Sequence, residues 1–328
     1  MKVTKIIGLG MASLLAKCYF KDAKLVVRES ELRAFKPDEY HTAVLRFKSD
    51  LVSKISGIEM PHVIVRKEVV NAYNNKMDLS IAAINAYSLK VNECLVERSI
   101  TDADKIVSRY VPRDDFVSRL WGSIDKKDII IIDDYNEEEE LDFNNFCEKD
   151  EAVISTIPLW KWYKELRNDG LDYNIKPIRV VVYKIPNCNL HQTIYFPFHN
   201  GVYRTTIEYD RMIIEVVNEL NDDINSISFL NEPDRLLFEV CKAFGIFNWS
   251  NFKLISDHVY HLGKMNTFNI DNNRRKALIL DLTLKKNVYS LGRYATMRNI
   301  GMDSIAEDIL KIDKLIKIDN YSSRMYNI

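Results

Sequence analysis

An α/β fold with a parallel sheet, an antiparallel second sheet and a helical insertion is predicted by three features of the 328-residue sequence. The first thirty residues read strand, glycine turn, helix, strand. Two later segments, 128–133 (DIIIID) and 152–157 (AVISTI), are continuous apolar runs, typical of strands buried on both faces. Between 178 and 216 three segments alternate apolar and polar residues, as antiparallel strands do.

Taken in order, residues 3–7 (VTKII) form a β-branched strand entering Gly8-Leu9-Gly10. Residues 11–20 (MASLLAKCYF) continue without a breaker as a helix, and 24–28 (KLVVR) form a second strand that ends at Glu29. Residues 37–58 open on polar residues and then take an apolar period near 3.6, which predicts a helix; 63–72 read as extended, then as linker. From about Met77 to Leu120 apolar positions recur at helical spacing, including LSIAAINAYSLKVNECLV and DADKIVSRYV, and predict a helical subdomain. The run Glu137–Glu140 reads as a solvated loop, with a cation site as the alternative. Segments 178–185, 192–198 and 203–216 are the alternating strands; 234–245 is helical; 277–283 and 287–290 read as strands; 303–317 is an amphipathic helix with Asp303 near its start.

Composition narrows the classes. Lys and Arg total 46 against 47 Asp and Glu, which argues against a general nucleic-acid binder. Cys18, Cys94, Cys147, Cys188 and Cys241 are dispersed, with no CxxC and no zinc spacing, and read as reduced thiols of a cytoplasmic protein. No apolar run approaches the ~20 residues that span a bilayer. The start, MKVTKIIGLGMASLLAKCYF, has basic residues before an apolar stretch, but its two glycines and polar flank argue against a secretory leader. Abundant Lys, Asn and Ile are compatible with an AT-rich genome, a virus and hence a host cytoplasm included.

The strongest chemical signal is Gly8-Leu9-Gly10-Met11-Ala12-Ser13, between a predicted strand and a predicted helix. It matches GxGxxG except for Ser13 at the third glycine. The first glycine makes a tight turn, the second lets a pyrophosphate approach the backbone, and the third position needs a small residue for helix–strand packing. Glu29 follows about 20 residues after Gly8, where an acidic group can bind a ribose diol and favours FAD or NAD over NADP. The alternative is an α/β turn with no ligand.

A second signal lies at the C-terminal end. VYSLGRYATMRNIGMDSIAEDIL (288–310) runs from a strand through Gly292-Arg293 to Gly301-Met302-Asp303 at a helix start. That start offers free N–H groups to a flavin edge or an anion, and Arg293 can neutralise phosphate. An ordinary strand–loop–helix with a surface arginine is the alternative.

This stretch resembles the flavin-binding segment of UDP-galactopyranose mutases and related amine-oxidase-like FAD flavoproteins. Gly292-Arg293 matches the family's Gly-Arg, and Met302-Asp303 its Met-Asp. VISTIPLWKWY (153–163) is similar to the strand ending in a threonine–proline turn near the flavin, which implicates Thr156 and Pro158. VYRTTIE (202–208) is similar to a segment beside the substrate cleft, which implicates Tyr203, Arg204 and Glu208. Tyr40-His41-Thr42 resembles the histidine loop near the mutase flavin, making His41, with Arg204, a candidate catalytic residue. The sequence departs from the family in lacking a Gly-Gly doublet after Glu29, in carrying Met297 and Asn299 where tyrosines flank the motif arginine, and in being short.

The resemblance implies a Rossmann-like FAD-binding domain of glutathione-reductase type, split over 1–70, 126–160 and 277–328. A helical insertion (71–125) and a substrate domain (161–276) complete the expected division. It also implies FAD chemistry through flavin N5 on a sugar nucleotide or related small polar substrate. An amine-oxidase-like oxidoreductase and a non-catalytic dinucleotide-fold binding module are the alternatives. No P-loop, HExxH or Ser/His/Asp set occurs and no metal is expected, so the cofactor would carry the chemistry.

Other residues have plainer readings. Arg46 and Lys48 read as a solvated helix face, with phosphate contact as the alternative. Arg204 either grips an anion or forms a cross-strand pair with Glu208. Arg274-Arg275-Lys276 reads as a surface patch, and Trp160, Trp162 and Tyr163 as packing residues of a helix.

Overall fold

A computed structural model describes residues 2–70, 80–92, 95, 100, 106–133, 151–163, 173–198, 201–217, 233–268 and 270–318; some side chains within these ranges, His41 among them, lie outside the description. Numbered in chain order, the first sheet comprises β1 (Lys2–Ile7), β2 (Lys24–Arg28), β5 (Ile129–Ile132), β6 (Glu151–Ser155) and β12 (Val288–Ser290). Its order is β12-β6-β1-β2-β5, and every pair is parallel. Helix α1 (Met11–Tyr19) carries the chain from β1 to β2. The strand order reverses at β1, with β2 on one side and β6 and β12 on the other. In open α/β sheets such a reversal leaves a crevice at the carboxyl ends of the strands.

Successive strand residues point to opposite faces, and here each face has its own core. Ile6, Leu25, Val27 and Ile154 pack with residues of α1, α3 (Leu51–Ser56), α5 (Phe116–Gly122) and α9 (Met302–Lys317). Ile7, Val26 and Val153 face Trp162, Leu282 and Met297 on the other side. Helix α9 forms where expected because Ile305, Ile309, Ile312 and Ile316 recur at helical spacing and bury one stripe.

The second sheet has the order β11-β7-β10-β9-β8-β3-β4. Its strands are β3 (His62–Val69), β4 (Ile106–Tyr110), β7 (Tyr173–Lys184), β8 (Leu190–Tyr195), β9 (Val202–Tyr209), β10 (Arg211–Val217) and β11 (Lys253–Phe268). It is mixed rather than wholly antiparallel, because β3 runs parallel to β8. Val181 and Ile214 face α6 (Pro233–Ala243), while Val180, Val182 and Ile213 pack on the opposite face with Tyr87 and Val91 of α4 (Ile81–Asn92).

Several expectations are corrected. Residues 277–283 are not a strand but the middle of helix α7 (Asn272–Lys286). Asp271 caps that helix by accepting the amides of Asn273 and Arg274, and Leu278, Ile279 and Leu282 face one core. Within the expected helical insertion, 106–110 is the edge strand β4, held by pairing with β3. The run 129–132 is an edge strand with Ile131 56% exposed, so it is covered on only part of its surface. Residues 37–58 form a 3-10 turn (Pro37–Thr42) and the short α3 rather than one helix. Across the expected division of the chain, β3 lies in the second sheet and α5 packs on the core of the first. The Glu137–Glu140 run lies outside the described residues. Among those described, no helix is long and apolar enough to cross a membrane.

Candidate functional site

The carboxyl ends of β1, β2, β6 and β12 are knitted together by short hydrogen bonds. The Thr156 amide and hydroxyl both donate to Ile7 O, at 3.0 and 2.9 Å. The Gly8 amide donates to Val26 O at 2.9 Å, and the Leu291 amide to Ser155 O at 2.8 Å. Gly8 has φ +102°, and a Cβ there would lie 2.5 Å from Thr156 Oγ1, so both backbone conformation and space demand glycine.

Gly292 brings the far end of the chain to the same place. It has φ +92° and opens α8 (Arg293–Thr296), and a Cβ on it would come 3.1 Å from Ala12 Cβ. The Gly292-Arg293 turn therefore packs on the first turn of α1. Gly10 and Gly301, which open α1 and α9, have nothing within 4 Å of an added Cβ. Both line a cavity of about 690 Å³, shared with Met11, Ala12, Thr156, Gly292, Arg293, Met302 and Asp303. The first-turn amides of α1 and α9 have no carbonyl within their own helices to bond, and both helix dipoles put positive charge there.

Three residues of this region have internal tasks. Ser13 is fully buried; its hydroxyl accepts the Gly10 amide at 2.9 Å and donates to Gly10 O at 2.8 Å, so a small polar residue at the third-glycine position locks the start of its own helix. Asp303 accepts the Lys48 amide at 3.1 and 3.0 Å and the Ser49 amide at 3.5 Å, tying that loop to α9. Arg293 donates to Ile300 O at 3.4 Å. Burial lowers its pKa from the ordinary arginine value, yet the guanidinium remains a cation near neutral pH.

The opposite wall comes from the second sheet. Val202 and Arg204 pair with the adjacent Val216 and Glu215, which leaves Tyr203 as the extra residue of a β-bulge. A bulge re-aims side chains, and Tyr203, Arg204 and Glu215 all line the cavity. Arg204 Nε donates to the buried Glu215 carboxylate, and its Cζ lies 5.6 Å from the centre of the Tyr203 ring. Burial, and then Glu215, push the Tyr203 hydroxyl well above its ordinary range, so it stays protonated, with its hydrogen bond directed to the Glu215 carboxylate. Burial disfavours the Arg204 cation, and Glu215 with Tyr203 more than restores it. The expected Arg204–Glu208 pair is replaced by Arg204–Glu215. Glu208 does not line the cavity; it accepts Arg46 Nε at 3.0 Å. Arg46 is correspondingly buried rather than on a solvated helix face.

The remaining candidates disperse. Glu29 opens α2 (Glu29–Ala34), is half exposed, pairs with Arg33 and does not line the cavity, although Ala34 and Phe35 do. Pro158 precedes a 3-10 turn, Leu159–Lys161, outside the lining. His41 has its backbone in the turn Pro37–Thr42, whose last residue lines the cavity, but its side chain lies outside the description. Trp162 is buried and donates to Ser155 Oγ at 3.0 Å. Arg275 donates to Thr296 O at 3.2 Å from the first turn of α7. Sequence reasoning missed Glu215 and Tyr260. A lone carboxylate inside the apolar run RMIIEVV was the available signal for Glu215, since a buried charge must be paired.

Compared with solved structures, reduced UDP-galactopyranose mutase aligns over 100% of this chain and 96% of its own, with TM-score 0.61 at 13% identity. The chain has the fold of that mutase. An oxidoreductase from Methanosarcina mazei aligns over 96% of this chain and 100% of its own (TM-score 0.51, 10% identity). A Pyrococcus furiosus protein aligns over 98% of each chain (TM-score 0.52, 10% identity). At these identities the likeness is one of fold, and it agrees with the motif resemblance and with the expected mixed α/β class. No family model matches the sequence, and no curated protein matches it.

Proposed function

We propose that this protein is a flavin-dependent enzyme acting on a small polar substrate held between its two sheets. The observation that carries this reading is the convergence of two glycine-opened helix starts, Gly10 and Gly301, on one cavity. A dinucleotide is long enough to engage both, with its pyrophosphate at one and its flavin ring at the other. The open space beside each glycine is what a close backbone approach needs.

The residues fit the cofactor as follows. Amides of Met11 and Ala12 would donate to the pyrophosphate, and Arg293 would add a fixed positive charge. The start of α9 would face the ring's electron-rich edge. Bound flavin supplies two-electron transfer or nucleophilic chemistry at N5. The terminal nitrogens of Arg204 would orient the substrate against it as hydrogen-bond donors, with the Tyr203 ring beside them, while Leu9, Leu291 and Met302 on the walls exclude water. Glu29 does not fit the ribose role while it pairs with Arg33.

The absorbance spectrum of the purified protein, before and after FAD addition, tests the reading. Bands of bound oxidised flavin are expected in the wild type. Gly10→Val, whose side chain fills phosphate space, should abolish FAD retention with an unchanged far-ultraviolet circular dichroism spectrum. A wild type that takes up no FAD, or a G10V variant that keeps it, refutes the proposal.

A further inference from the structure

Two arginines line the cavity beside the second sheet, Arg204 from β9 and Arg46 from the loop that precedes α3, and each already has a carboxylate. Arg46 gives Nε to Glu208 at 3.0 Å, one terminal nitrogen to Thr193 Oγ1 at 2.6 Å and the other to Ile207 O at 3.2 Å. All of its donor-bearing nitrogens are engaged by the protein. Arg204 gives Nε to Glu215, whose side chain is 1% exposed, while the Arg204 side chain remains 30% exposed beside the cavity. At the rim Lys36 pairs with Glu39 at 3.1 Å. Among the described lining residues, these three cations are each matched by a carboxylate.

This balance decides what the wall attracts. A paired charge presents a dipole, whose field falls off faster than that of a lone ion. A diphosphate leaving water loses much hydration and needs net positive charge to replace it. Arg204 still has two terminal nitrogens with N–H donors beyond Nε, and a hydroxyl or carbonyl oxygen can accept from these without bringing charge. Arg293 and the helix starts lie on the other side, where the cofactor's own pyrophosphate would use them.

We infer that Glu215 sets the specificity of the cavity. By neutralising Arg204, it makes the second-sheet wall a site for an uncharged, hydroxyl- or carbonyl-bearing small molecule, and it turns away diphosphates such as the sugar nucleotides implied by the sequence resemblance. This inference rests on the proposed flavin site.

Titration calorimetry with UDP and with uridine, which differ by the diphosphate, tests it in saturating FAD and low salt. Wild-type protein should bind UDP no more than about tenfold tighter than uridine. Glu215→Gln leaves Arg204 as an unbalanced cation and should tighten UDP at least about tenfold, with uridine unchanged. The double variant R204Q/E215Q should return UDP to the wild-type level. Wild-type protein that prefers UDP over uridine by more than tenfold, with the preference falling as salt rises, overturns the inference whether or not E215Q folds. A folded E215Q with no gain in UDP affinity overturns it as well. Flavin absorbance is read separately: protein that takes up no FAD fails the proposed function, and the comparison of wild type with E215Q still decides the role of Glu215.

Discussion

At Gly8 one missing methyl group decides the geometry of the cavity floor. With φ +102° and Thr156 Oγ1 at 2.5 Å from an added Cβ, alanine there is strained by about 1–2 kcal/mol in the backbone and must also displace a hydroxyl that bonds Ile7 O. Gly8→Ala should therefore lower the urea midpoint, whereas Gly57→Ala, also at positive φ but with open space around it, should cost only the backbone part. Equal losses would remove the steric claim. His191 offers a pH test at the same scale. Burial, helped by Arg46 and Arg113, pulls its pKa down to about 4, and its ring sits 4.6 Å from that of Tyr209. The unfolded chain takes up this proton near pH 6.5 and the folded chain only near 4. Between those values the unfolded state binds more protons, so stability falls as pH falls through the window. Urea unfolding of the wild type at pH 7 and pH 4.5 should show that loss, and His191→Phe should shrink it. An identical pH slope in the variant would count against the assignment.

Among the elements, α9 does two jobs from its first turn. Gly301 leaves the cavity open, and Asp303 holds the Lys48 and Ser49 amides. Asp303→Ala leaves those amides without their acceptor, and the expected destabilisation is about 1–3 kcal/mol by chemical denaturation. Asp303→Asn, which keeps an acceptor oxygen, should recover part of it. A silent D303A would mean that the loop is held elsewhere. The bulge in β9 is the corresponding device on the second sheet: with regular alternation, Tyr203 and Arg204 would point to opposite faces.

For the whole molecule, the cavity exists because residues near 10 and near 300 close on one another, with Gly292 against Ala12. Arg293 lines it, whereas Arg298 pairs with Asp308 and does not. Arg293→Ala should weaken FAD by about 1.5–3 kcal/mol, the worth of a charge-assisted hydrogen bond, and Arg298→Ala should leave the affinity near wild type. Equal effects in a fluorescence titration would deny that the two ends of the chain hold one cofactor.

The sequence by itself determined the elements whose apolar pattern is strong and local: β1, α1 and β2 around the glycine turn, the buried β6, and the amphipathic α9. It also put Gly8 and Gly292 at turns, and at both the chain takes a positive φ beside a closely packed neighbour. It misled where a short apolar run fits either period, as at 277–283, where the Asp271 cap and the core beneath decide for helix. Strand β4 was likewise decided by pairing with β3. Only the tertiary structure chose the ion pairs. Charged partners are set by strand register and by long-range packing: the register of the β9–β10 hairpin puts Arg204 opposite Glu215 and not Glu208, and Arg46, far away along the chain, is drawn inward to Glu208. The Arg46–Glu208 contact is a property of three-dimensional neighbours, and no one-dimensional spacing encodes it.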